Sequence, residues 1–219
     1  MKRITHSFTG SRPIFTGSPS LVTGGFNLDT VNQRFSEGDV IPAGTLAIRD
    51  EAARLVRVVK TATVAAVDSA DAKKVTLKVD EFYAPVFAVG DKVAKADAVS
   101  GTYEDAVSVT AIEKSATSCV ITLSAAITGL AAGDTLEEVV AGAGKDSNGK
   151  ALAAEIGKAD CVTVADIVVG ACETSVDVCA DTMQYELYER RVPAIPASQK
   201  DATGRSLAAN PHVRLTVSL

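Results

Sequence analysis

"TVAAVDSADAKKVTLKVDEFYAPVFAVGDKVAK", residues 63–95, is followed by "SVTAIEKSATSCVITLSAAITGLAAGDTLEEV", residues 108–139, and the two stretches share one plan. Each runs strand, polar turn, strand, apolar connection, Gly-Asp, strand. "VAAVDSA" matches "VTAIEKSA", "KVTLKV" matches "CVITLS", and "VGDKV" matches "AGDTL". Alternation of Val, Ile and Thr with polar residues favours strands over helices. Two copies are too few for a solenoid, which needs about three units. A pair of three-strand units closing on each other as a small β-barrel or sandwich hides the strand edges.

Outward from the repeat, a third Gly-Asp opens "GDVIPAGT" at 38–45. A phosphate cradle requires a helix N-terminus next, whereas "TLAIRD" reads as a strand. The stretch is therefore expected to be turn punctuation before a strand, with Pro42 fixing φ and Gly44 letting the chain bend. "TLAIRD" and "RLVRVVKTATVAAVD" form an expected hairpin, although "DEAARLVRVV" has helical spacing over one turn. "AGAGKDSNGKA" (141–151) reads as a Gly-rich linker or loop tip, and "ALAAEIG" after it as one or two helical turns. Short alternating segments follow as far as "YELYERRVPAIP", and "HVRLTVSL" is a last strand. The fold class expected is mainly β. A barrel over 61–141 is inserted into a β-rich base built from 38–60 and 150–196, and 197–219 forms a C-terminal tail with one strand.

Residues 1–37 have no regular period, yet hold four of the six phenylalanines, Phe8, Phe15, Phe26 and Phe35. They are expected to form an extended arm lying in a groove of the body or of a partner. Charge separates the same regions. Residues 1–60 carry 8 Lys/Arg and 5 Asp/Glu (+3), 61–150 carry 8 and 13 (−5), and 151–219 carry 6 and 9 (−3). The first 28 residues contain no acid. A basic arm on an acidic body is either a docking element for an acidic surface or a solvated tail. Lys2, Arg3 and Arg12 offer too few phosphate contacts for nucleic acid to be the expected partner. No apolar run approaches the roughly 18 residues of a membrane span, and no apolar segment follows the basic N-terminus as in a secretion signal. No membrane association is expected, and the protein is expected to fold in a cytoplasm.

Catalytic patterns do not assemble. "GAGKDS" has Val139 where a phosphate loop needs its first glycine, and Asp146 where it needs Ser or Thr. His6 and His212 both lie near the termini, away from any rigid scaffold for a triad. The acid pairs at 80–81, 104–105 and 137–138 read as solvated turns rather than glycosidase or calcium sites. Cys119, Cys161, Cys172 and Cys179 lack metal-ligand spacing and read as small buried apolar residues. No enzyme activity, metal or cofactor is expected. In "YELYERRVPAIP", alternation places Tyr185, Leu187 and Glu189 on one face and Glu186, Tyr188 and Arg190 on the other. With Arg191 and the two prolines, this is either an oligomer contact strip or a protected edge strand.

Over residues 38–196 the order of "IPAGTL", "VVKTATV", the double Gly-Asp unit and "YERRVP" resembles head decoration or head fiber proteins of tailed phages and prophages. The resemblance implies an auxiliary capsid protein that binds the major capsid protein on the virion exterior, after assembly in the bacterial host cytoplasm. It also implies a homo-oligomer, a trimer foremost, with the barrel facing outward. Candidate capsid contacts are Lys2, Arg3, Phe8, Arg12, Phe15 and Phe26; candidate oligomer contacts are Tyr185, Tyr188, Arg190 and Arg191. The alternative function is adhesion to a host glycan or surface through Phe82, Tyr83, Phe87 and Tyr103.

Overall fold

The computed structural model describes residues 13–22, 25–80, 83–115, 117–171 and 173–217. The described strands, in order, begin with β1 (Phe26–Leu28), β2 (Val40–Ile41), β3 (Leu46–Asp50), β4 (Leu55–Val58), β5 (Thr61–Val67) and β6 (Lys74–Leu77). Next come β7 (Val93–Lys95), β8 (Val109–Lys114), β9 (Cys119–Leu123), β10 (Thr135–Lys145), β11 (Ala151–Glu155) and β12 (Cys161–Thr163). The last five are β13 (Ile167–Val168), β14 (Ser175–Val176), β15 (Val178–Cys179), β16 (Leu187–Tyr188) and β17 (Leu215–Thr216). The protein is mainly β, as the alternation predicted.

The repeat closes on itself. β5 pairs β6, β6 pairs β9 and β9 pairs β8, while β10 pairs both β5 and β7. The bridge Lys92↔Ser108 joins the start of β7 to β8, so the sheet is a nearly closed six-strand ring. The two units exchange third strands: β10 lies against β5 of the first unit, and β7 reaches β8 of the second. Equivalent positions do equivalent work. Val64 opposes Leu77 and Val109 opposes Leu123, each at the start of a register shift. Val64, Leu77, Val109 and Leu123 join Val75, Ile121, Leu136 and Phe87 in one buried core. Each such side chain removed from water contributes about 1.5–3 kcal/mol.

The base contains a sheet in the order β14-β1-β4-β3-β12-β15. Both of its faces are covered, which explains the mixture of alternation and apolar runs in its strands. Leu46, Val162 and Cys179 enter one core, and their neighbours Ala47, Cys161 and Val178 enter the other. The β3–β4 hairpin forms as expected, with Ala47 opposite Val58.

Three expectations change. Residues 13–37 are part of the body: β1 lies between β14 and β4, and Phe15 bridges Leu187. A three-residue strand and single bridges leave no period to read. Residues 151–155 are strand β11, paired with β10, because a strand neighbour overrides the helix propensity of Ala and Glu. The barrel sheet thus extends to Glu155, and "GKDSNGK" is the tip of the β10–β11 hairpin. Residues 200–216 are woven into the base: Leu207, Val213 and Leu215 are core residues, and β17 pairs β16 in parallel.

Candidate functional site

The Gly-Asp pairs form one recurring turn. In each, the Asp N–H donates to the carbonyl three residues back: Ser36 at 3.0 Å, Ala88 at 3.1 Å and Ala131 at 3.2 Å. The Asp carboxylate accepts the N–H of that same residue, at 3.2, 2.8 and 2.8 Å. Gly38, Gly90 and Gly133 hold φ of 83°, 93° and 92°, the left-handed region that the third position of a type II turn requires. The Gly N–H and Asp carbonyl then bracket one residue of a facing segment: Val169, Val109 and Val64 respectively. A lysine completes each copy, with Lys114 on Asp39 at 2.7 Å, Lys60 on Asp91 at 2.7 Å and Lys95 on Asp134 at 2.8 Å. "PAGT" is a fourth copy with Thr45 in the aspartate position, donating its hydroxyl to the Pro42 carbonyl at 2.6 Å. A Cβ on Gly44 would meet Val192 Cγ1 at 2.2 Å, so glycine there serves packing as well as φ.

The Asp91 copy sits at the junction of barrel and base. Lys60 and Asp91 are 2% and 1% exposed. Lys60 Nζ also donates to the Arg34 carbonyl, lies 3.6 Å from Glu138 Oε1 and stands 4.5 Å above the Phe35 ring. Gln33 ties this cluster to the base: its amide nitrogen donates to Glu138 Oε2 at 2.7 Å and to the Val58 carbonyl at 2.8 Å. Its amide oxygen accepts the Val58 N–H at 2.8 Å. Burial pushes the Glu138 carboxyl up, opposed by the Lys60 charge. Asp91 Oδ1 is buried without a hydrogen-bond partner.

On the opposite face of β10, burial, reinforced by Glu155 and Asp97, pushes Glu137 up to about 7. Glu137 and Glu138 therefore do not form a solvated turn. They are buried mid-strand, and the Glu-Glu dipeptide carries no sequence signal separating the two cases.

Beside the junction an open cleft of about 920 Å³ runs between residues 30–37 and 169–171 of the base and Ala88, Val89, Lys92 and Tyr103 of the barrel. Its polar floor is internally satisfied. Gln33 and Glu138 bond each other, and Lys92 Nζ donates to the carbonyls of Tyr103 and Glu104, both at 2.6 Å.

The candidate contact residues separate sharply. Phe15 and Phe26 are core side chains, 6% and 2% exposed, and not an outer capsid surface. Lys2, Arg3, Phe8 and Arg12 lie outside the described residues, as do His6, Phe82 and Cys172. Tyr185 lies over Gly17, where an added Cβ would meet its ring at 2.1 Å. The Arg191 guanidinium stacks on Tyr188 at 4.5 Å and donates to the Pro13 carbonyl at 2.8 Å. These three residues hold the chain's own 13–17 segment, and alternation ends at Tyr188 because a 3-10 turn follows over Glu189–Arg191. Arg190 is exposed. Of the glycan candidates, Phe87 fills the barrel core, while Tyr103 is half-buried with Lys92 Nζ 4.9 Å from its ring centre. Cys119, Cys161 and Cys179 are buried free thiols, and desolvation raises the pKa of each. No protein-family model, curated protein or solved structure matches the chain.

Proposed function

We propose that this protein is a structural component of a phage virion that decorates the capsid exterior by binding the major capsid protein. The observation that carries the reading is a barrel with its own closed core, set into a two-faced base through a buried ionic junction. Such a junction suits a fixed projection rather than a tethered one, because Lys60 and Gln33 tie the base to carboxylates of the barrel. The resemblance of "IPAGTL", "VVKTATV" and "YERRVP" to head decoration proteins supports the same role. A repeated shell surface would supply avidity to a modest contact, and a trimer would multiply it. The glycan reading is weaker, since Phe87 is spent on the barrel core.

The test is co-sedimentation of the purified full chain with undecorated capsids, beside a variant lacking residues 2–12. Truncation stops there because Ile14 and Phe15 belong to the core. Binding by the full chain and its loss in the truncated one supports both the role and the basic segment. Equal binding removes the segment from the interface, and no binding by the full chain overturns the reading.

A further inference from the structure

A second seam joins the barrel to the base on the face opposite the Lys60 cluster. Alternation along β10 turns Leu136 into the barrel core and Glu137 outward, in register with Thr61 on β5 and Ala94 on β7. The Thr61 hydroxyl donates to the Ala194 carbonyl at 2.6 Å, which lays the 194–200 segment along this face. Asp97 links the two sides. Its backbone N–H faces the Glu137 carboxyl, and its own carboxylate accepts the N–H groups of Ser198 at 2.7 Å and Ala197 at 3.2 Å. Asp97 does this at φ 61°, a conformation that non-glycine residues rarely adopt and that surrounding contacts must hold.

Glu137 is 1% exposed, and its Oε1 has no hydrogen-bond partner; Ser198 Oγ is likewise buried and unpartnered. The charged groups facing Glu137 are Asp97, Glu155 on β11 and Lys158 just after it. Lys158 is itself 2.5 Å from Glu155, so its charge is largely committed. Thr61 and Ala94 bring no charge, and Lys200, at the end of the segment, pairs with Glu189. An ionised carboxylate here would present a buried oxygen with no donor to two neighbouring acids, which is costly. A protonated one is neutral and avoids that cost.

We propose that Glu137 is a proton-operated latch: protonated, it keeps the 194–200 segment closed on the barrel, and its ionisation loosens that segment. The folded-state pKa lies above the unfolded value of 4.5, so the latch's contribution is complete below about 4.5 and is lost as pH rises through about 7. The device is internal to the chain and holds whether or not the protein decorates a capsid.

The experiment uses the full chain. Amide exchange at Ala197 and Ser198, corrected for the intrinsic pH dependence of exchange, is expected to lose roughly tenfold or more in protection between pH 5.5 and 8.0. Glu137→Gln, which cannot ionise, is expected to hold that protection level. A carbon-13 titration of the wild-type carboxyls should give Glu137 a midpoint near the 7 that its surroundings impose. A midpoint below about 5.5 overturns the latch whatever the variant does. So does an unchanged pH dependence of exchange in Glu137→Gln.

Discussion

Asp91 and Asp134 occupy the same turn in the two halves of the barrel. Each follows a left-handed glycine, each accepts the N–H three residues back at 2.8 Å, and each is paired with a lysine at 2.7–2.8 Å. Yet the Lys60–Asp91 side chains are 1% and 0% exposed, and those of Lys95 and Asp134 are 35% and 23% exposed. Local sequence therefore sets the hydrogen bonds of the turn, while what packs on it sets the energy of the ion pair. The first copy is roofed by Gln33, Phe35 and the β4 end of the base; the second faces solvent at the far end of the barrel.

The largest expected effect comes from removing one partner of the buried copy. Lys60→Met leaves Asp91 and Glu138 in a dry site without their cation, and should cost about 3–5 kcal/mol in urea unfolding. Lys95→Met in the exposed copy should leave the same unfolding curve nearly unchanged, as exposed pairs generally do. Equal losses for the two variants would mean that the junction is wetter than its burial implies.

Next in size, Gly90→Ala and Gly133→Ala should each cost about 1–2 kcal/mol, the ordinary penalty of a Cβ at left-handed φ. Neither Cβ would clash: the nearest atom at Gly90 is Arg34 Cδ at 3.6 Å, and at Gly133 nothing lies within 4 Å. Near-equal values would separate the cost of turn geometry from the cost of burial.

The smallest effect is on acid stability. The Lys95 hydrogen bond and the Ala131 N–H lower the Asp134 pKa below 3.8. Its contribution is therefore present above pH 3.8 and is lost as pH falls through the folded-state value. Asp134→Asn should slightly lower the melting temperature at pH 7 and flatten its decline below about pH 4, so that the two proteins converge in acid.

The same contrast separates what could be read early from what could not. The barrel was legible because "VAAVDSA…KVTLKV…VGDKV" and its partner pair with one another, and a period of two reports burial on one face. The strand exchange between the units was not, since a repeat shows that two units are alike and not which edges they share. The 13–28 stretch concealed its role for a different reason. Phe15 and Phe26 enter the core through a single bridge and a three-residue strand, too short for any periodic signal. The tyrosines at 185 and 188 looked like contacts for another molecule, and they do make contacts, but with residues 13–17 and Arg191.

By itself the sequence determined the mainly β character, the duplicated unit and the Gly-Asp turns. These depend on alternation, φ and hydrogen bonds within a few residues. Only the tertiary structure decided which Gly-Asp-Lys copy is buried, where Glu137 and Glu138 lie, and which aromatics are spent on the core. Those properties belong to neighbours distant in the chain: Gln33 meets Glu138, and Asp97 meets Ser198. Desolvation by distant segments, rather than residue type, gives an identical carboxylate its charge state and its energetic weight.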